Sequence, residues 1–241
     1  MQWTDNKLAS LTTKKGFRLR GESMTRMEVF SDAAFAFALT MLVVSVGSIP
    51  QNHQELMLAL KNVPAFALSF AQLAAFWMAH RVWSSQYGLE DRISTILTLL
   101  MIFTILVFVY PLRLIFASFC AFMTGGWLTS HFQVSSLQEL ASLFIIYGVG
   151  YAILAGVLTL LYWHALRREK SLRLNRREVL ATRFGITAWG MQVAISTVAA
   201  VVAWLVPEPL IPFAGFVYFG LAIAMPIISI RYHKQLESIT E

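Results

Sequence analysis

Six uninterrupted apolar stretches, each long enough to cross about 30 Å of hydrocarbon at helical rise, decide what this chain of 241 residues can fold into. They run over residues 29–49, 56–79, 93–118, 137–166, 179–206 and 210–230. In lipid every backbone N–H and C=O needs an internal partner, and a helix supplies it within the segment. A β-barrel would show ten-residue alternating strands, whereas these runs are continuously apolar. Composition agrees: 57% of the residues are hydrophobic and only 13% charged, which excludes disorder and an ordinary water-soluble domain. The predicted fold class is an all-α integral membrane protein with six transmembrane helices.

The basic residues orient the spans. All but three of the 19 lysines and arginines fall before span one, after span two, after span four or after span six. The three loops on the other side hold none, and Lys61, Arg113 and Arg183 lie near span ends where long side chains can snorkel. Both termini are therefore expected in the cytoplasm, with residues 1–28 and 232–241 flanking a membrane unit over 29–231. The net charge of +6 thus reflects orientation in a membrane rather than nucleic-acid binding. The first 28 residues lack an apolar core, so no cleaved signal peptide is expected. Trp77, Trp83, Trp163 and Trp204 are predicted interfacial anchors near span ends, with Trp189 deeper. The single cysteine, Cys120, excludes an internal disulfide. The five scattered histidines form no metal-ligand pattern, and no cofactor is expected.

Asp32 is an acidic residue inside a predicted span, about one turn from its cytoplasmic end. A carboxylate there costs on the order of 2 to 3 kcal/mol unless it is paired or hydrated. Span one leaves the cytoplasm and span two returns to it, which places His80 and Arg81 at the depth of Arg26, Ser31 and Asp32. A polar cluster of these residues is expected, most simply as a staple between helix ends and alternatively as an ion or proton site. Beyond it, Phe37, Met41, Val44 and Ser48 share one face at helical spacing. Such a stripe serves helix packing or, alternatively, a hydrophobic constriction that gates a pore by dewetting.

The residues Arg26-Met27-Glu28-Val29-Phe30-Ser31-Asp32 fit the pattern R-x-x-x-F-S-D at the start of a first membrane helix. With Ala38-Leu39-Thr40 in span one, Phe76-Trp77 followed by His80 in span two, and Pro111 in span three, the chain resembles the transmembrane protein 175 family of potassium channels in its prokaryotic single-repeat form. That resemblance implies a homotetramer with the first helices around a central pore, passive conduction of potassium or other monovalent cations, and residence in a prokaryotic plasma membrane. It also implies a constriction at the fifth, ninth and twelfth positions after the aspartate, which are Phe37, Met41 and Val44. The family usually carries Ile or Leu there, so Phe37 and Met41 are departures that keep bulk and apolarity. Arg26, Ser31, Asp32 and His80 are implied to form an interhelical network joined by Phe30 and Arg81 at the same end, and Thr98 stands where the family has an asparagine.

Two other patterns carry less. Tyr147-Gly148-Val149-Gly150-Tyr151 superficially matches a potassium-filter sequence, but a carbonyl filter needs irregular backbone, and this run lies inside a continuous span. Gly148, Ala152 and Gly156 at four-residue intervals fit helix packing better. Arg167, Lys170, Arg173 and Arg176 mimic a voltage sensor, yet the residues between them are mostly polar, as in a cytoplasmic loop touching anionic lipid. No paired acids, metal-protease motif or phosphate loop supports an enzyme. The rival readings are an ion-coupled secondary transporter, with Pro64, Pro111 and Pro226 as possible kinks, and a non-conducting membrane subunit.

Overall fold

The structure is a computed structural model that describes residues 3–21, 23–44, 49–128 and 136–240. Ser48 of the apolar stripe and His131, one of the five histidines, lie outside the described residues. The chain forms α1 (Asp5–Ala9), a hairpin of β1 (Thr13–Lys14) and β2 (Phe17–Arg18), α2 (Arg26–Val44), α3 (His53–Lys61), α4 (Val63–Tyr87), α5 (Arg92–Met123), α6 (Leu137–Arg167), α7 (Glu169–Leu172) and α8 (Arg176–Leu205). A 3-10 helix, Glu208–Phe219, then runs into α9 (Gly220–Thr240). Six of these segments are long and apolar enough to cross a membrane: α2, α4, α5, α6, α8 and the composite Glu208–Ser238.

The second span differs from its hydropathy reading of 56–79. Asn52 caps the short exposed helix α3 by accepting from the Glu55 amide, and the spanning helix begins only at Val63. Pro64 sits in the first turn of α4, where its missing N–H has no partner to lose. It therefore starts the helix and does not kink it. The consequence is a shift toward the C-terminus, with α4 running on to Tyr87. Trp77 and Trp83 are thereby drawn into the bundle, and Trp83 is only 2% exposed.

The most extensive packing joins α6 to α8, with α5 on the other side of α6. The approach is close because a Cβ on Gly148 would lie 2.9 Å from the Ala200 Cβ. A Cβ on Gly150 would meet the Phe108 ring at 2.4 Å, while Gly156 has only an ordinary contact with Val193. The Tyr147–Tyr151 run is regular helix, packed through its small residues. Arg113 is buried within α5 rather than extended toward a surface.

Helices α2 and α4 lean on α5 at the edge of this core. Both chain ends lie on one side of the bundle: Arg18 meets Glu178 at the start of α8, and Tyr232 of α9 stacks on Phe184 of α8 with ring centroids 4.5 Å apart.

Candidate functional site

The base of α2 is built by a capping box. Thr25 Oγ1 accepts from the Glu28 amide at 3.2 Å, and Glu28 Oε2 accepts from the Thr25 amide at 3.0 Å. The other carboxylate oxygen of Glu28 accepts from Ser84 Oγ of α4 at 2.5 Å. One acid thus closes the end of α2 and ties it to the neighbouring helix. Sequence reasoning missed Glu28, although the T-x-x-E spacing ahead of an apolar run signals this role.

One turn further, Asp32 Oδ1 accepts from the indole Nε1 of Trp77 at 2.8 Å, and the Arg81 guanidinium lies over the same ring, 5.4 Å from its centroid. The indole separates the two charges, giving its N–H to the carboxylate and its electron-rich face to the cation. No ion pair links Asp32 to a guanidinium among the described residues. Ser31 is buried and donates to the Glu28 carbonyl at 2.9 Å, and buried His80 shares a 3.1 Å hydrogen bond between Nε2 and Thr98 Oγ1 of α5. Ser31, Asp32, His80 and Arg81 are therefore gathered where α2, α4 and α5 meet, but they are joined through Glu28, Trp77 and Thr98. Arg26 and Phe30 lie on the exposed side of α2.

The two faces of α2 contrast. Ser31, Phe35, Ala38 and Leu42 follow helical spacing and are buried against the bundle. Phe37 is 57% exposed and Val44 63% exposed on the opposite face, with Phe30 and Thr40 in line. Met41 is half-buried and packs against the core, at the edge of that face. The arrangement offers one helix with a clamped polar root and an uncovered apolar stripe. Among the described residues no group of three or more His, Cys, Asp or Glu could hold a metal ion.

A collar of ion pairs holds the same end of the bundle. The segment before α2 docks through Arg18 and Arg20, which pair with the buried carboxylate of Glu178 at 2.7 and 2.8 Å. The carboxylate also accepts from the backbone amides of Arg18 and Asn175. Lys15 and Gly16 turn the β1–β2 hairpin with positive φ, and Phe17 meets Tyr87 edge-on. Gly88 needs its glycine: its φ is +54°, and a Cβ would lie 2.7 Å from the Arg20 carbonyl oxygen. Asp91 caps α5 by accepting from Ser94 and pairs with His164 at 2.7 Å and Arg168 at 3.1 Å. Burial alone would raise the Asp91 carboxyl, but hydrogen bonds from Ser94 and His164 outweigh it and hold it at about 2. Glu178 and Asp91 stood unremarked in the sequence, although N-x-x-E and D-x-x-S are capping signals.

Comparison with known proteins places this architecture. The sequence model described as "Endosomal/lysosomal potassium channel TMEM175" matches residues 26–111, the span from the base of α2 to Pro111. A "Potassium channel" of Marivirga tractuosa is 32% identical over 212 residues, covering 84% of this chain and 85% of that protein. A crystal structure of a variant of the potassium channel MtTMEM175, bound to a nanobody–MBP fusion, superposes with a TM-score of 0.79 at 28% identity. That alignment covers 93% of this chain and 99% of the other. Identity at this level runs through nearly all of both chains, and the family match begins on the residue that opens the clamped helix, so the chain belongs to the TMEM175 potassium channel family.

Proposed function

We propose that the protein is a passive cation channel, conducting potassium, whose pore is lined by the outward face of α2 in a homotetramer. The observation that carries this reading is the split character of α2. One face is locked into the bundle by Phe35, Ala38 and Leu42, while Phe37 and Val44 stay uncovered on a helix whose rotation is fixed at its polar root. A helix that faced only lipid would need no such fixed rotation. The related potassium channels support the same reading.

In this arrangement Phe37, Met41 and Val44 form successive apolar rings, and Phe37, the bulkiest, is the tightest barrier to water and ions. The residues Ser31, Asp32, His80 and Arg81, with Glu28, Trp77 and Thr98, hold α2 at its angle, and Arg26 and Phe30 face the neighbouring subunits or the pore mouth. The basic residues clustered at this end support a cytoplasmic side for it, in the plasma membrane of a prokaryote, with the surrounding lipid covering the remaining apolar faces.

Flux into liposomes containing the purified protein, driven by potassium, sodium or caesium gradients with and without a proton ionophore, tests the proposal. Passive cation flux that increases in Phe37→Ala supports it. Flux coupled to an opposing gradient would replace it with a transporter, and equal flux in both proteins would move the pore away from Phe37.

A further inference from the structure

A cavity of about 20 Å³ lies where the base of α2 meets the ends of α4 and α5, lined among others by Glu28, His80, Trp83, Ser84, Ser94 and Thr98. One water molecule needs at least about 10–15 Å³ and two to four polar partners, so the space suits one water and little more. Most of the polar lining is already engaged. Ser84 donates to Glu28, His80 pairs with Thr98, and Ser94 donates to Asp91. Trp83 differs. Its side chain is 2% exposed, and its indole Nε1 is buried with no hydrogen-bond partner among the described residues.

An indole N–H can only donate, and a buried donor left unsatisfied is unfavourable, so its occupant must offer a lone pair. A metal cation offers none. The same cavity is lined by a strong acceptor with spare capacity, because the Glu28 carboxylate has about four lone-pair sites and is engaged by Ser84 and the Thr25 amide. A molecule that both accepts from Trp83 and donates to such a carboxylate is water.

We propose that this cavity is a binding site for a single structural water, which accepts from Trp83 Nε1 and donates to the Glu28 carboxylate. It completes a polar bridge from α4 to the root of α2. The site is independent of which ion the protein conducts.

Maps of the wild type and of Trp83→Phe, at a resolution that orders buried water, test this. The expected result is one peak about 2.7–3.2 Å from Nε1 in the wild type, lost in the variant, with the helices unmoved. Absence of the peak from the wild type overturns the proposal, and so does a peak that persists unchanged in Trp83→Phe. Crystals soaked in rubidium supply a further test that needs no variant: anomalous signal at the cavity would make the occupant a cation and overturn the assignment. If Trp83→Phe does not fold, the wild-type peak and the rubidium soak still decide between the outcomes.

Discussion

Of the six spans the two least covered are α2, with 22% of its most apolar window buried, and the sixth span, with 6%. They are held differently. The sixth span leans on α8 and presents Ile223, Ile227 and Ile230 outward, with no buried residue along α9 among those described. Helix α2 is tied at its root by Ser84 to Glu28 and by Trp77 to Asp32, and the segment before it is bolted down by Arg18 and Arg20 on Glu178. Exposure to lipid is satisfied at any rotation, since hydrocarbon surrounds the helix evenly, whereas exposure to one defined partner or pore requires the rotation to be set. Bare surface is therefore informative only when something orients it.

The largest expected effect tests the bolt itself. Glu178→Gln leaves Arg20 buried beside a neutral partner, which should cost about 3–5 kcal/mol and show as a lowered unfolding midpoint in detergent. An unchanged midpoint would mean that the segment before α2 is not held through this carboxylate. Close behind, Leu42→Ala on the covered face of α2 should cost about 2–5 kcal/mol through a core cavity. Phe37→Ala, five residues earlier on the uncovered face, should raise ion flux while leaving the subunit's own packing intact.

Smaller effects sharpen the contrast. Trp77→Phe keeps an aromatic ring but removes the N–H from Asp32, so a loss of about 1–3 kcal/mol and altered flux are expected. Flux and midpoint equal to wild type would show that the root does not orient α2. Ile223→Ala, on the sixth span, should move stability by no more than about 0.5 kcal/mol and leave flux unchanged. If it altered flux as Phe37→Ala is expected to, the distinction between the two spans would collapse.

A further contrast concerns acid. Asp91 titrates at about 2 in the folded chain, below its ordinary value near 3.8. The stability it contributes is complete above pH 4 and is lost as pH falls from about 4 toward 2. Asp91→Asn should flatten that part of the unfolding profile, and a profile with the same slope as wild type would remove Asp91 from the collar's energetics.

The membrane architecture was legible from the sequence because spans are long, continuous and bounded by charge, and each of these properties is local. The meeting of Asp32 and Ser31 with His80 and Arg81 near one depth followed from counting helices, since antiparallel neighbours return to the same level. The partners did not follow from counting. That Asp32 takes an indole, that Glu28 links the helices, and that His80 reaches Thr98 depend on helix rotation and on where α4 begins, and Pro64 shifted that start beyond the hydropathy reading. Likewise the basic residues before α2 looked like free cytoplasmic charge, yet two of them close on Glu178, which lies about 160 residues along the chain. The sequence by itself determined how many helices are long and apolar enough to cross and which stripe of α2 is apolar. Only the tertiary structure decided which side of α2 is covered and which acid meets which donor, because rotation and pairing are set by packing between segments far apart in sequence.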